Sequence, residues 1–213
     1  MVSYKNILAH VHKWEGGLVY FPTEKQWTNR GVQWTTYKAL APKLLNIANP
    51  TLDGLKSMTQ AQADKFIKYF WDKATYNNSI TNQAAANAFF EMFWGGSKYG
   101  IKWLQRVLGV NPDGNVGPLT IAAANKYAPS KLIEEVKKRY VALAKADPSK
   151  YNYVLDGWIN RWNSLLDISK KYFNQLVENL PKDIEGKKKS KIIIYLLGGL
   201  AVSYIIYKRM YKK

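Results

Sequence analysis

The chain has 213 residues, of which 47% are hydrophobic and 14% aromatic, so it is long enough for one substantial core with an appendage and too apolar to be disordered. It contains no cysteine, which excludes disulfides and thiolate metal sites. The formal charge of +17 indicates an anionic partner. The basic residues are scattered along predicted helices rather than gathered in an arginine-rich arm, so we expect no nucleic-acid partner.

Apolar residues repeat with helical spacing over most of the chain, and few segments alternate with period two. The predicted helices are Val2–Lys13, Thr35–Ala48, Thr59–Tyr76, Gln83–Trp94, Gly100–Leu108, Pro118–Tyr127, Pro129–Ala146 and Pro148–Leu180. A capping box, Thr59-Gln60-Ala61-Gln62, marks one helix start, and Asp53-Gly54 marks the turn before it. The sequence therefore predicts an all-α fold, α+β at most, with a short hairpin around Val19–Val32.

The first predicted helix ends in Trp14-Glu15-Gly16-Gly17. A carboxylate in the last helical turn, followed by two glycines that let the backbone reverse, is expected to project into a cleft. A carboxyl in a partly apolar wall, which Trp14 would supply, has a raised pKa and can protonate a departing sugar oxygen. Glu15 is therefore the first candidate for a general acid, although Glu-Gly-Gly also serves as an ordinary helix stop. His10 and His12 are predicted to be surface residues without a metal.

A second stretch, Thr28-Asn29-Arg30-Gly31-Val32, follows a loop that contains Glu24. Together with Glu15-Gly16-Gly17-Leu18-Val19 it resembles the amino-terminal motif of glycoside hydrolase family 108, the phage and bacterial N-acetylmuramidases, in which Glu-Gly-Gly-Tyr-Val precedes Thr-Asn-x-Gly-Ile. The intervening loop, Phe21–Trp27, departs from the family pattern, because it lacks the paired glycines and is one residue shorter. The resemblance implies a lysozyme-like helical domain with Glu15 as its general acid.

The resemblance also implies roles for residues that follow the acid. Glu24 lies in the loop where this family and phage-type lysozymes carry an acid; it either activates water or is a solvated loop charge. Thr28 either holds the attacking water through its hydroxyl or caps the next turn. We expect Trp27 to bind substrate, since sugar rings stack on aromatic side chains. Asn29, in the motif that carries the resemblance, is also predicted to bind substrate.

The second half of the chain carries further parts of the resemblance. Glu91 lies in a very apolar predicted helix, so it must be paired or neutral, and we predict it near the cleft floor as a structural or substrate-binding group. Gly95 stands where the family is expected to have an asparagine. Trp103–Gly109 with Asp113–Thr120, and then Gly157–Trp162, resemble the peptidoglycan-binding module of family 108 enzymes. Peptidoglycan is therefore the expected partner.

The carboxy-terminal end differs in composition from the rest of the chain. Pro181–Lys191 is a polar basic linker, and residues 192–207 form a run of 16 without a charge. At about 1.5 Å per residue this run spans roughly 24 Å, which tyrosines and snorkelling lysines can extend toward a hydrocarbon core of about 30 Å. We expect a transmembrane anchor in a lipid membrane. The alternative is an apolar helix packed on the domain or in an oligomer.

The predicted parts are a lysozyme-like catalytic part over 1–96, a peptidoglycan-binding-like helical part over 97–180, the linker over 181–191, the anchor over 192–207 and a basic tail over 208–213. The predicted protein is a membrane-anchored muramidase without metal or cofactor, which cleaves the β-1,4 bond between N-acetylmuramic acid and N-acetylglucosamine. Phage lysis, penetration of the host wall and bacterial wall remodelling all fit. Two alternatives remain open: a lytic transglycosylase, which needs only one acid, and a non-catalytic wall-binding protein.

Overall fold

A computed structural model of the protein describes residues 2–22 and 24–178. Within these residues the chain forms eight helices and a sheet of three short strands, so the largely helical class is as predicted. The elements in chain order are α1 (Tyr4–Trp14), β1 (Val19–Phe21), β2 (Gln26–Asn29), β3 (Val32–Gln33), α2 (Trp34–Leu45), α3 (Leu52–Lys56), α4 (Gln60–Thr75), α5 (Gln83–Val107), α6 (Pro118–Lys126), α7 (Pro129–Ala146) and α8 (Pro148–Glu178). The predicted linker, membrane anchor and basic tail lie outside the described residues.

The helix boundaries follow the sequence signals closely. Helices α6, α7 and α8 begin at the prolines that predicted them, where a missing N–H costs nothing. The predicted capping box is confirmed, because the Thr59 N–H donates to Gln62 Oε1 at 2.9 Å and the Gln62 N–H donates back to Thr59 Oγ1 at 3.3 Å. In the described part of the chain, no helix has both the length and the apolar character that a membrane crossing needs.

Helix α5 joins two predicted helices across a sharp break. Ser97 has φ 50° and ψ −142°, a backbone conformation that residues with a side chain rarely adopt. Gly95 just before the break is exposed, with open space where a side chain would lie. Past the break the chain returns so closely that a Cβ atom at Gly100 would overlap the carbonyl oxygen of Met92. Glycine at position 100 is therefore required by this close approach.

Two local predictions, at Asp53-Gly54 and at His10, were wrong. Asp53-Gly54 is part of helix α3 rather than a turn, because Thr51 Oγ1 accepts a hydrogen bond from the Gly54 N–H at 3.1 Å and starts a short helix. His10 is 2% exposed rather than at the surface, since it shares the inward face of α1 with buried Ile7. Neither Gly16 nor Gly17 has a positive φ, so the chain leaves α1 without a left-handed glycine.

The described residues divide into two compact units. The N-terminal unit, Tyr4–Asp72, contains α1, the sheet, α2, α3 and most of α4. The C-terminal unit contains the residues up to Ser3 and those from Lys73 onward, with α5, α6, α7 and α8. The functional division that the sequence predicts between residues 96 and 97 stays a prediction.

The N-terminal unit is built around a small antiparallel sheet in the order β1-β2-β3. Strands β2 and β3 are joined by Arg30 and Gly31, with φ 50° and 78°, the two left-handed positions of a tight hairpin turn. In the core, Tyr37 stacks on Phe66 with ring centroids 5.9 Å apart. Burial raises the pKa of the Tyr37 hydroxyl. The tight turn is followed at once by β3 and then by α2, the helix that carries the core residue Tyr37.

The C-terminal unit is a helical assembly in which α5 packs against α7 and α8. Its buried apolar side chains include Phe89, Phe90, Ile101, Leu104, Leu132, Ile133, Val136, Trp162 and Leu165. A buried polar chain runs through this core: Gln83 Nε2 donates to Asn87 Oδ1 at 2.8 Å, and Asn87 Nδ2 donates to Ser169 Oγ at 3.0 Å. Because amide and hydroxyl groups are costly to bury unpaired, this row of hydrogen bonds fixes the register of α8 on α5.

Candidate functional site

Glu15 occupies the last turn of α1, as the sequence predicts. Its N–H donates to the Val11 carbonyl at 2.7 Å, so helical hydrogen bonding continues one residue beyond Trp14. The residue is half-buried, whereas Gly16 and Gly17 are exposed and nothing lies within 4 Å of where their Cβ atoms would be. The two glycines therefore leave open space directly after the carboxylate.

Trp14 packs on the same helix. Its ring centroid lies 6.4 Å from that of His10, and Lys13 Nζ lies 5.4 Å from it. The indole Nε1 is buried and has no hydrogen-bond partner within the described chain. That Trp14 forms an apolar wall for Glu15 stays a prediction.

Thr28 lies in the central strand of the sheet. It is 7% exposed and stands opposite Val19 of β1 and Gln33 of β3. Its hydroxyl oxygen is buried and finds no hydrogen-bond partner among the residues that the structure describes. A buried hydroxyl without a partner costs about 1–3 kcal/mol, and a bound water or ligand would remove that cost.

Glu24 comes to the same side of the sheet through a residue that the sequence analysis missed. Its exposed carboxylate accepts a hydrogen bond from Gln33 Nε2, with Oε2 and Nε2 2.6 Å apart. Gln33 is the cross-strand partner of Thr28, and directly opposed residues of an antiparallel pair project to one face. Thr28, Gln33 and Glu24 therefore share one face of the sheet. The position opposite Thr28 is known only once the strand register is known, so no sequence signal marked Gln33.

Trp27 and Asn29 project to the opposite face, because side chains alternate along a strand. Asn29 Nδ2 donates to the carbonyls of Leu55 at 2.8 Å and Lys56 at 3.1 Å, which ties the hairpin to α3. The half-buried Trp27 ring lies 5.3 Å from the Tyr20 ring and 5.0 Å from Lys56 Nζ. Both residues thus support the sheet, and their predicted substrate contacts stay predictions.

Arg30, at the tip of the hairpin, extends the same support to helix α4. Its Nε donates to the Met58 carbonyl at 3.2 Å, and its Nη1 donates to Gln60 Oε1 at 2.7 Å. The turn end of the hairpin that carries Thr28 is therefore held at two points, by Asn29 on α3 and by Arg30 on the start of α4. Such fixed placement is what a site needs if a hydroxyl is to orient a ligand.

Glu91 belongs to the C-terminal unit, and the expectation that it is paired is confirmed. It is 6% exposed and accepts two hydrogen bonds from Arg161, at 2.7 Å from Nε and 3.2 Å from Nη2. Arg161 is the arginine of the Gly157–Trp162 pattern, so that pattern encodes a bidentate ion pair between α8 and α5. Beside it, burial raises the pKa of the Tyr140 hydroxyl, whose ring lies 4.6 Å from that of Trp158. A substrate contact by Glu91 stays a prediction.

A turn at Asn111–Gly114 is organised by a buried side chain of α5, Gln105. Gln105 Oε1 accepts from the Gly114 N–H at 2.8 Å, while Gln105 Nε2 donates to Asp113 Oδ1 at 2.8 Å and to the Asn115 carbonyl at 2.9 Å. The Asn115 backbone N–H and the Gln105 amide hold the pKa of the Asp113 carboxyl below its usual value. The loop is thus closed on itself by hydrogen bonds.

Across the described ranges, no group of three or more histidine, aspartate or glutamate side chains is arranged to hold a metal ion. His12 Nε2 lies 2.7 Å from Asp64 Oδ1, a partly exposed pair on the N-terminal unit.

The first comparison with known proteins concerns part of the C-terminal unit. Residues 99–163 match the family model described as "Predicted Peptidoglycan domain". The chain is thereby associated with peptidoglycan. The matched residues include Gln105 and its loop, all of α7, and Arg161. No curated protein matches the chain.

Among solved structures, SagA from Brucella abortus is similar to the chain. The two share 23% sequence identity over 79% of this chain and 94% of SagA, with a TM-score of 0.64. At this identity the likeness shows a shared fold. It covers far more of the chain than the family model does, and so extends the comparison beyond the matched module.

Proposed function

We propose that the protein is a peptidoglycan hydrolase, an N-acetylmuramidase that cleaves the β-1,4 bond between N-acetylmuramic acid and N-acetylglucosamine. The observation that carries the proposal is the buried Thr28 hydroxyl without a partner in the described chain, in the unit that also presents Glu15 beside two open glycines. The association with peptidoglycan supplies the substrate class. The resemblance of the Glu15 and Thr28 motifs to glycoside hydrolase family 108 indicates which glycosidic bond is cleaved.

In the proposed reaction Glu15 donates its proton to the glycosidic oxygen as the bond to the anomeric carbon breaks. Thr28 Oγ1 holds the attacking water, whose oxygen forms the new bond to that carbon. Glu24 takes up the proton that the water loses, with Gln33 fixing its carboxylate. Glu24 then releases this proton to solvent and Glu15 regains one from solvent, so both carboxyl groups return to their starting states. The open space at Gly16 and Gly17 accommodates the sugar on the leaving-group side.

The sharpest test is an analysis of the products. Purified full-length protein is incubated with peptidoglycan, and the released muropeptides are examined by mass spectrometry. We expect reducing N-acetylmuramic acid ends. Release of 1,6-anhydro ends would make the protein a lytic transglycosylase, in which the substrate's own 6-hydroxyl replaces water. Absence of any cleavage under conditions where the protein binds peptidoglycan would make it a wall-binding structural protein.

The proposal includes attachment to a membrane through residues 192–207, with the domain facing the wall from a phage virion membrane or a bacterial membrane. Support comes from 16 uncharged residues between basic flanks. Full-length protein is expected in the membrane fraction and to resist extraction by high salt and by carbonate at high pH. A chain ending at Pro181 is expected to be soluble and to keep wall-lytic activity. Extraction of the full-length chain by carbonate would remove the anchor from the proposal.

A further inference from the structure

A groove of about 560 Å³ lies between α7 and α8, in the C-terminal unit. Its floor is apolar and consists of Val141 and Ala142 from α7 with Ile159 from α8. Ile159 lies within the Gly157–Trp162 pattern, whose arginine ties α8 to α5. Of the two helices that form the groove, α8 is therefore held on α5 by a buried ion pair, and Lys137 of α7 donates a hydrogen bond to Asn163 of α8. Among the described residues, no aromatic side chain lines it.

The rim of the groove is basic. Lys137, Lys138 and Lys145 line it, against a single carboxylate from Glu134. These residues and the floor of α7 recur every three or four positions, so they form one continuous helical face. The face is thus an apolar strip bordered by ammonium groups, with an excess of positive charge.

The ammonium groups of the rim are free to bind further acceptors. Lys137 Nζ donates to Asn163 Oδ1 at 2.8 Å and Lys138 Nζ to Glu135 Oε1 at 2.7 Å, which uses one of three N–H groups on each. Lys145 is exposed and has no hydrogen-bond or ion-pair partner among the described residues. At least one cation of the rim therefore faces solvent with its full donor capacity.

We propose that this groove binds the stem peptide of peptidoglycan, with the lysines on its carboxylates and the apolar floor on its alanine methyl groups. The proposal rests on the proposed peptidoglycan substrate and names which part of it the C-terminal unit recognises. Sugars stack on aromatic rings, which the groove lacks, whereas a short peptide with methyl groups and free carboxylates matches an apolar strip with a basic rim. The glycan strand binds instead to the N-terminal unit, which carries the proposed catalytic residues.

The test measures binding separately from cleavage. Full-length protein carrying Glu15→Gln, which keeps the wall intact, is sedimented in mild detergent with purified sacculi or with sacculi stripped of stem peptides by an amidase. Adding Lys145→Glu is expected to weaken binding to intact sacculi about tenfold and to leave binding to stripped sacculi unchanged. The matched control is Lys170→Glu, which makes the same charge change at an exposed position of α8 outside the groove. It should bind both preparations as the parent does.

A second variant blocks the groove without changing its charge. Ala142 is exposed on the floor, so Ala142→Trp fills the space while thermal melting verifies the fold. It is expected to weaken binding to intact sacculi selectively. Parent-like binding by both Lys145→Glu and Ala142→Trp overturns the proposal, and so does equal weakening by Lys170→Glu, which would indicate general charge attraction.

Failure of the groove and failure of the enzyme are distinguishable. A wild-type protein that cleaves peptidoglycan, while the groove variants bind intact sacculi normally, overturns the groove and keeps the muramidase. A wild-type protein that sediments with intact sacculi through the groove and releases no muropeptides keeps the groove and overturns the muramidase. If Ala142→Trp changes only the oligomeric state on size-exclusion chromatography, the groove binds a second copy of the chain and the stem-peptide proposal is wrong.

Discussion

The β2–β3 hairpin of the N-terminal unit and the loop at Asn111–Gly114 of the C-terminal unit are both tight, polar turns with left-handed residues. In the loop, both ends of the Gln105 amide are hydrogen-bonded within the protein. In the hairpin, the Thr28 hydroxyl is buried yet has no partner in the described chain. A polar group paired inside the protein stabilises the fold, whereas a buried one left unpaired costs stability, a cost that a bound water or ligand would remove. The loop therefore needs no partner from outside the protein, whereas the Thr28 hydroxyl is the group for which we propose one.

The largest expected effect is on catalysis by Glu15. Glu15→Gln removes the transferable proton at almost constant volume, so wall lysis should fall by about 10²–10⁴-fold while binding and folding remain. The measurement is the turbidity of permeabilised Gram-negative cells together with a thermal melt. A lysis rate within tenfold of the parent's would show that Glu15 is not the general acid. The Thr28 hydroxyl would then have no established reaction in which to hold water.

Breaking the ion pair at Glu91 should produce the largest loss of stability. Its side chain is 4% exposed and that of Arg161 20%, so Glu91→Leu removes the carboxylate that faces a largely buried guanidinium, at a cost of about 3–5 kcal/mol. The free energy of unfolding in urea measures this. The double variant with Arg161→Met should recover most of the loss, because both charges are then gone. A single variant as stable as the parent would show that the pair contributes nothing.

Gln105→Leu tests the paired side of the comparison. The substitution leaves the Gly114 N–H and the Asp113 carboxylate without their amide partner, so we expect a loss of about 1–3 kcal/mol in the free energy of unfolding. The neighbouring Arg106 is exposed, and Arg106→Gln is the control that should change stability by less than about 0.5 kcal/mol. Equal stability of the two variants would contradict a self-supporting loop.

Thr28→Val tests the unpaired side and should act in the opposite direction on stability. Removing a buried hydroxyl that has no partner in the described chain is expected to raise the free energy of unfolding by about 1 kcal/mol. Lysis should nevertheless fall by roughly 10²-fold, because the water is no longer positioned. Thr28→Ser keeps the hydroxyl and should keep most of the activity. A Val variant that is both less stable and fully active would reverse our interpretation of Thr28.

The smallest effect is expected for Glu24. Because its carboxylate is exposed, bulk water can replace it as proton acceptor, so Glu24→Gln should lower lysis only about tenfold, below the range for a buried positioned base. The amide oxygen of the new glutamine can still accept the hydrogen bond from Gln33. A loss as large as that of Glu15→Gln would make Glu24 an essential base, and unchanged lysis would place the second group elsewhere.

Much of the fold follows from local signals in the sequence. Prolines 118, 129 and 148 start helices because their ring fixes φ and their missing N–H is not needed there, and the Thr59 capping box starts α4. Arg30-Gly31 makes the hairpin turn because such turns need two left-handed residues. The position of Glu15 at the end of α1 was predictable from the sequence of that helix. The pairing of Glu91 was predictable from its apolar helix and the cost of burying a charge.

What only the tertiary structure decided are the partners that come from distant parts of the chain. Arg161 lies 70 residues from Glu91, and Gln33 meets Glu24 only through the strand register. His10 looks polar in sequence but is buried, because its helix places it beside Ile7. The unpaired hydroxyl of Thr28 has no sequence signature at all. Local propensity acts within a few residues, whereas pairing and burial depend on which segments the fold brings together, and the candidate site is defined by those.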